Sequence, residues 1–295
     1  MAEEQKQNEF EPQVVSLDAH GKLNVTCDFG APNAERSVRL SVDVLPLESE
    51  FRGSRKHILD LLAAPDWAKK LNHIMGVNEI DFATDPRPIP GGHASVVETD
   101  LDEYIHKCRK GIWPKAEEEL KRGKWWAPNG GTRPQMDLIS SISVLGKDGL
   151  LFVEAKAHEG ELDWGGKPLA DDASEGSQGN HANIGRQIAL ASKELNALCG
   201  SGFNLSIKSH YQLVNRLTYL WKLASVGIPV VLVYLGFTSE TYFRADYLHD
   251  ERHWQRVMGG YMQGTAPHSF PEKRYDLPNG ASVHMLIRSM NISDL

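Results

Sequence analysis

The chain has 295 residues, of which 41% are hydrophobic and 24% charged, and a formal net charge of −7. This length fits one large domain or two modest ones, and the composition is that of an ordinary soluble globular protein. Three scattered cysteines indicate neither a disulfide framework nor a zinc-binding CxxC pair. No apolar run approaches the roughly 18 residues of a membrane span, and the polar N-terminus lacks a signal-peptide core. We therefore expect a cytoplasmic protein that has no membrane partner.

The uneven distribution of charge bears on nucleic-acid binding. A negative net charge argues against bulk electrostatic attachment, because proteins that contact phosphates usually present a basic face. Residues 104–125, however, carry seven Lys or Arg against three Glu, and residues 201–229 contain three basic residues and no acidic one. A basic groove is therefore compatible with the acidic chain.

The N-terminal third is predicted to be scaffold. Residues 1–13 are predicted to be a disordered acidic tail, and residues 14–90 a β-rich region with a helix. Apolar alternation within residues 14–44 predicts three strands of a small antiparallel sheet. Helical patterns follow over Ser54–Pro65 and Asp66–Gly76, each with a capping residue or breaker at its ends.

The Pro- and Gly-rich segment Thr84–Gly92 predicts a boundary, after which residues 91–295 form an α/β domain. Helices are expected to begin near Thr99 and at Pro114, since proline suits the first position of a helix. The Gly-, Asp- and Ser-rich segment Gly160–Asn180 is predicted to be a long loop.

Two apolar runs, Met136–Leu145 and Leu150–His158, flank the segment Gly146–Gly149 and predict a β-hairpin. Because alternate residues of a strand share a face, Glu154 and Lys156 point the same way, while Ala155 points to the other face.

The pairing of the hairpin decides how close its carboxylates come. If Leu145 pairs with Leu150, Asp137 lies opposite His158, on the same face as Glu154. Asp137 is then four residues along from the rung of Glu154, roughly 13 Å away. A shared metal ion would require the strands to splay, twist or carry a bulge.

The residues after the hairpin predict a mixed sheet. A helix capped by His181 or Asn183 and a second helix that ends at Gly227 lead to the near-continuous apolar run Pro229–Gly236, which is typical of a strand buried on both faces. A helical crossover into such a strand implies parallel pairing. A helix at Asp246–Met258 and a strand near the C-terminus complete an α/β fold, a mixed β-sheet flanked by helices.

Two carboxylates and a lysine on one face suit metal-assisted cleavage of phosphodiesters. Mg²⁺ binds carboxylate oxygens together with substrate phosphates. A bound metal lowers the pKa of its water and offsets the charge that builds on the phosphate. A nearby lysine can orient the attacking water or stabilise the charged transition state.

The order Asp137, hairpin, Glu154-Ala155-Lys156, helix, buried strand resembles the PD-(D/E)xK nuclease superfamily, which has the restriction-endonuclease-like fold. The resemblance covers about residues 130–236, and the proline that often precedes the aspartate is displaced to Pro134. It implies a nuclease that uses Mg²⁺ or Mn²⁺, with Asp137, Glu154 and the carbonyl of Ala155 as metal ligands.

The same resemblance implies catalytic roles for Lys156 and, on the following helix, for Gln187. The Gln-x-x-x-Tyr pattern of RecB-like exonucleases is not met, because Ala191 stands where the tyrosine would be. A further acidic residue from a preceding helix is expected, with Glu103, Glu117 and Glu118 as candidates. The implied partner is nucleic acid, with DNA favoured over RNA. The choice between the two stays open, as does the oligomeric state, a homodimer included.

Alternatives to this interpretation stay open. The chain could keep the fold without activity and serve as an interaction protein. His249 and His253 have the i, i+4 spacing of the two zinc ligands on a metallopeptidase helix. Asp250 follows the first histidine, at the position where such a helix carries the general base. The pair Trp125-Trp126 either stacks on bases or covers the core.

Overall fold

The protein is described from a computed structural model. The structure describes the backbone of three strands within residues 13–43, and residues 53–94, 96–121 and 124–295. The predicted acidic tail lies outside the described residues except at Gln13.

The chain divides into two units, Met1–Phe51 and Arg52–Leu295. The first contains an antiparallel sheet in the order β1 (Gln13–Leu17), β2 (Lys22–Thr26) and β3 (Leu40–Asp43). This sheet confirms the three antiparallel strands predicted for this part of the chain.

The second unit holds the remaining elements. Its strands are β4 (Ile80–Phe82), β5 (Thr99–Asp100), β6 (Gln135–Met136), β7 (Leu138–Val144), β8 (Lys147–Lys156), β9 (Val230–Thr238), β10 (Arg274–Asp276) and β11 (Ser282–Asn291). Its helices are α1 (Gly53–Ala63), α2 (Trp67–Met75), α3 (Leu101–Cys108), α4 (Pro114–Glu119), α5 (Glu175–Cys199), α6 (Tyr211–Ser225) and α7 (Glu251–Met262).

A six-stranded mixed sheet in the order β10-β11-β9-β8-β7-β4 is the centre of this unit. Strand β9 runs parallel to both β8 and β11, whereas β7 is antiparallel to β8 and β4. The predicted α/β class, with helices flanking a mixed sheet, is confirmed. The two units divide at residues 51 and 52, so β4 and the helices before it belong to the large unit, whereas the sequence predicted a boundary at residue 90.

Helices cover both faces of the sheet. Val153 and Ala155 pack in a cluster with residues of α1 and α2, while Phe152 faces the cluster built with α5, α6 and α7. The predicted alternation along β8 is confirmed. The face that carries Glu154 and Lys156 is nevertheless buried under helices, so these charges are not solvated.

The hairpin has a different register from the predicted one. Leu138 pairs with Val153 and Val144 with Lys147, and the turn is Leu145-Gly146 with φ angles of 51° and 77°. Two positive φ angles are typical of the type I′ turn that joins two-residue hairpins. The predicted pairing of Leu145 with Leu150 is therefore wrong by four residues.

Gly149 explains why the prediction failed. It lies inside β8, where a Cβ atom would come within 2.8 Å of the carbonyl oxygen of Pro229. This glycine is required by the close approach of a neighbouring backbone and not by a turn. The sequence alone does not distinguish a glycine required by a turn from one required by a neighbouring backbone.

Helix α5 begins earlier than predicted. Ser174 is its N-cap and accepts a hydrogen bond from the backbone N–H of Ser177 at 3.3 Å. The polar residues 175–180 are therefore helical, and the predicted loop is shorter than the span from Gly160 to Asn180. Within the described residues, no helix is long and apolar enough to cross a membrane.

Candidate active site

The observed register brings Asp137 and Glu154 together. One step beyond the Leu138–Val153 pair places Asp137 opposite Glu154, and Asp137 Oδ2 accepts a hydrogen bond from the N–H of Ala155 at 2.7 Å. Asp137 itself lies in a bend between β6 and β7, where its side chain and not its backbone contacts β8. The predicted separation along the sheet therefore disappears. His158, the predicted partner of Asp137, forms a bridge with Tyr247 instead.

Glu154 is the buried centre of the site, with 1% of its surface exposed. Its Oε1 pairs with the ammonium of Lys156. Its Oε2 accepts from Nε of Arg216 at 2.7 Å and lies 2.6 Å from Nη2 of the same side chain. Both oxygens of Glu154 are therefore engaged by cations.

Arg216 is the site residue that the sequence reasoning missed. It lies on α6, is 5% exposed, and also donates to the carbonyl of Gln135 at 2.7 Å and to Oδ1 of Asn215 at 2.8 Å. A signal was present: Arg216 follows Leu213 by three residues and precedes Leu220 by four, which places it on the apolar stripe of the helix. A charge on such a stripe requires a buried partner of opposite sign.

The two carboxyl groups differ in their pKa. Burial and, after it, the Glu154 carboxylate raise the pKa of Asp137 to about 7, against the opposing effect of Lys156. Burial would also raise the pKa of Glu154, but Arg216 and Lys156 outweigh it and hold that pKa below its ordinary value. Asp137 thus exchanges its proton near neutral pH beside a carboxylate that stays ionised.

Two carboxylates are the ligands nearest to hand for a cation at this place. Mg²⁺ is usually held by one or two carboxylates, waters and substrate phosphates, without a complete protein cage. Asp137 is partly exposed and offers a carboxylate whose proton a cation could replace, whereas Glu154 would share oxygens that Lys156 and Arg216 already contact. Across residues 53–94, 96–121 and 124–295, no three His, Cys, Asp or Glu side chains form a group that could hold a metal ion.

The three acidic candidates on the preceding helices make other contacts. Glu103 pairs with Lys107, Glu118 with Lys124, and Glu117 accepts a hydrogen bond from the N–H of Gly111. Glu98, which precedes β5, lies 3.7 Å from the guanidinium of Arg55. Burial raises its pKa, Arg55 lowers it, and Glu154 raises it.

Gln187 and the tryptophan pair lie in one contact network. The amide oxygen of Gln187 accepts from Nε1 of Trp125 at 2.8 Å, so that oxygen is already engaged. Trp125 and Trp126 are 5% and 1% exposed and pack against Tyr219. The tryptophans therefore cover the core, as one of the two readings predicted, and the role of Gln187 in the site stays a prediction.

The two histidines of the zinc alternative do not share a helical face. Asp250 is the N-cap of α7 and accepts from the N–H of His253 at 2.7 Å, so His249 precedes the helix. The N–H of His249 points to Nδ1 of His253, and Nε2 of His253 lies 3.2 Å from Glu159. Both ring nitrogens of His253 are thus engaged, and the predicted helix start at Asp246 is wrong because of the cap.

No family model, curated protein or solved structure matches this chain.

Proposed function

We propose that the protein is a Mg²⁺- or Mn²⁺-dependent nuclease that hydrolyses phosphodiester bonds of nucleic acid, DNA rather than RNA. The observation that carries the proposal is the hairpin register, which sets Asp137 opposite Glu154 with Lys156 two residues further along β8. Two carboxylates and one amine meet at a single place at the end of a strand in a mixed sheet.

In this proposal the carboxylates bind the metal, and the cationic side chains stabilise charge or position a carboxylate. Asp137, Glu154 and the carbonyl of Ala155 would hold the metal, which when bound lowers the pKa of a water and offsets charge on the phosphate. Lys156 orients the attacking water or stabilises the developing negative charge. Arg216 positions Glu154, because its guanidinium fixes Oε2 through two nitrogens.

A second candidate is a protein that keeps this fold without catalysis. It is favoured by the contacts of Glu154, both of whose oxygens already have cationic partners. In that case the cluster is a buried ion network that serves the fold, and divalent metal has no effect.

The deciding experiment is incubation of the purified chain with mixed DNA and RNA, with and without Mg²⁺ or Mn²⁺. Asp137→Asn removes a charged ligand. Asp102→Asn is the matched control, because Asp102 is a second aspartate whose pKa is raised to about 7. We expect metal-dependent cleavage that disappears in Asp137→Asn and persists in Asp102→Asn. Absence of cleavage by the unmodified chain, or full cleavage by Asp137→Asn, contradicts the proposal.

A further inference from the structure

Trp164 is an exposed tryptophan that packs against two other rings. It lies in the segment between β8 and α5 and keeps 54% of its surface exposed. Its ring meets Tyr261 of α7 edge-on, with the ring centroids 5.2 Å apart, and lies 5.2 Å from the ring of His210. The rings of His210 and Tyr261 are 5.4 Å apart, so the three rings form one group, which we call the aromatic platform. Tyr261 is buried, and Trp164 presents the platform to solvent.

Backbone hydrogen bonds hold the segment of Trp164 against the residues that lead into α6. The carbonyl of Trp164 accepts from the N–H of His210 at 3.1 Å, and the next residue of each segment forms a second such bond of 2.8 Å. The two segments touch at Gly166, where a Cβ atom would come within 2.5 Å of the backbone of Lys208. The tryptophan is therefore fixed in an exposed position, although its large apolar ring would be more stable out of water.

The aromatic platform is close to the charged cluster of the candidate site. His210 precedes Arg216, the partner of Glu154, by six residues at the start of α6, which is about 9 Å at 1.5 Å per residue. Burial raises the pKa of Tyr261, Asp163 and Glu154 raise it further, and Arg216 lowers it, in keeping with this proximity. A stacked strand of nucleic acid advances about 3.4 Å per nucleotide, so the platform is about three nucleotides from the cluster.

Basic side chains flank the aromatic platform. Residues 201–229 contain three basic residues and no acidic one. Among them Lys208 is exposed, and from the other segment the ammonium of Lys167 lies 5.1 Å from the ring centre of the first residue of α6. The carboxylate of Asp163, the residue before Trp164, accepts a hydrogen bond of 2.8 Å from a backbone N–H two residues later. Cations beside an exposed aromatic ring are the combination by which proteins bind single-stranded nucleic acid.

We propose that the aromatic platform is a binding subsite for single-stranded nucleic acid, in which a base that flanks the cleaved bond stacks on the ring of Trp164. The inference rests on the proposed nuclease function, which supplies the class of substrate. An aromatic ring stacks on any base, since every base has a π face. A base inside a duplex is already stacked between its neighbours and reaches the ring only at the cost of unstacking. The substrate that fits is therefore single-stranded near the cleaved bond.

The test measures binding in the absence of cleavage. Fluorescence anisotropy of a labelled single-stranded oligodeoxythymidylate of about 12 nucleotides, a usual site size, is followed in EDTA. The salt concentration is kept fixed, because phosphate contacts make the affinity depend on salt. Trp164→Ala removes the ring, Trp164→Phe keeps a smaller one, and Tyr242→Ala is the control. Tyr242 is an aromatic residue that is 58% exposed and packs against Phe243, which adjoins the cluster on the opposite face of the sheet.

We expect Trp164→Ala to weaken binding of the single strand about 10-fold or more, the order of effect of one lost stack between a base and an aromatic ring. Trp164→Phe should keep most of the affinity, and Tyr242→Ala should bind as the unmodified chain does. A duplex of the same length should bind more weakly, with an affinity that does not depend on Trp164.

Equal binding of the single strand by Trp164→Ala and the unmodified chain, or an equal loss in Tyr242→Ala, overturns the subsite. If metal-dependent cleavage persists in that case, the proposed function stands without it. Binding that depends on Trp164 in a chain that does not cleave with Mg²⁺ or Mn²⁺ overturns the proposed function and leaves the subsite in place. A chain that neither binds the single strand nor cleaves overturns both.

Discussion

Two aspartates of this protein, the buried Asp102 and the partly exposed Asp137, have similarly raised pKa values and opposite surroundings. The pKa of Asp102 is raised to about 7 by burial, and its nearest charge is the guanidinium of Arg133, 2.9 Å from Oδ2. The pKa of Asp137 is also raised to about 7, but there the neighbouring Glu154 adds to the effect of burial. Asp102 already has its cation, whereas Asp137 faces a second carboxylate.

The comparison separates a structural ion pair from a candidate ligand site. Burial alone makes a carboxyl group hard to ionise and does not reveal what the group does. Repulsion between two carboxylates can be relieved by a proton or by a metal cation, and a bound cation is what the proposed hydrolysis uses. The protein has both arrangements, so each aspartate is the natural control for the other.

The largest expected effect on the free energy of unfolding comes from removal of Arg216 beside Glu154, compared with removal of Arg133 beside Asp102. Arg216→Met leaves Glu154 buried with Lys156 alone and should cost about 3–5 kcal/mol of unfolding free energy. Arg133→Met should cost less, because Asp102 can take up a proton near neutral pH. Urea unfolding at pH 7 measures both variants. A loss of stability for Arg216→Met no larger than that for Arg133→Met would show that the cluster is not a coupled ion network.

Lys156→Ala tests the chemistry of the cluster. We expect turnover to fall roughly 100- to 1000-fold while Mn²⁺ affinity changes little, because an ammonium acts on developing charge and does not ligate the metal. Lys222→Ala, which breaks the pair with Glu119, is the control and should keep its activity. If Lys156→Ala lowers the free energy of unfolding but keeps full turnover, the lysine is a structural partner of Glu154.

Both aspartates should make the free energy of unfolding depend on pH. Their ordinary pKa is 3.8, so between about pH 5 and 7 the folded chain keeps protons that the unfolded chain has released. Stability should therefore fall as the pH rises through this window, by up to about 1.4 kcal/mol per pH unit for each retained proton. Asp137→Asn and Asp102→Asn should each reduce this slope.

Addition of Mg²⁺ sharpens that measurement. At pH 8 the metal should restore stability to the unmodified chain and to Asp102→Asn, because it replaces the lost proton between Asp137 and Glu154. It should not stabilise Asp137→Asn. Thermal unfolding with and without Mg²⁺ gives the answer, and equal stabilisation of both variants would place the metal elsewhere.

The smallest effect is expected at the histidines. His253→Ala removes the contact with Glu159, whose side chain is 47% exposed, and should change stability by no more than about 1 kcal/mol. Nuclease turnover should not change, and zinc should not stimulate the chain. Loss of a zinc-dependent hydrolytic activity in His253→Ala would revive the alternative site.

The sequence predicts the fold where its periodicity is local. The alternation along β8 and the apolar run of β9 are patterns of consecutive residues, so the two strands and their parallel pairing could be inferred from the sequence. The hairpin register could not be inferred, because Gly149 is required by the close approach of the carbonyl of Pro229, which is distant in the chain. The partnership of Arg216 with Glu154 likewise depends on how α6 packs over the sheet.

The starts of α7 and α5 were predicted wrongly although each has an N-cap residue in the sequence. Asp250 caps α7 through the N–H of His253, three residues later, which is the ordinary spacing of an N-cap. Ser174 begins α5 in the same way, ahead of residues too polar to show an apolar stripe. Asp137, Glu154 and Lys156 could be grouped from the sequence because they lie in or beside one hairpin, whereas Arg216, which contacts Glu154, comes from another element.

Mn²⁺ binding to the purified chain, measured by titration calorimetry, tests the central claim most directly, since it asks whether Asp137 and Glu154 together form a metal site. The account predicts binding by the unmodified chain and by Asp102→Asn, and loss or strong weakening of binding in Asp137→Asn. No binding by the unmodified chain, or equal binding by Asp137→Asn, would contradict it.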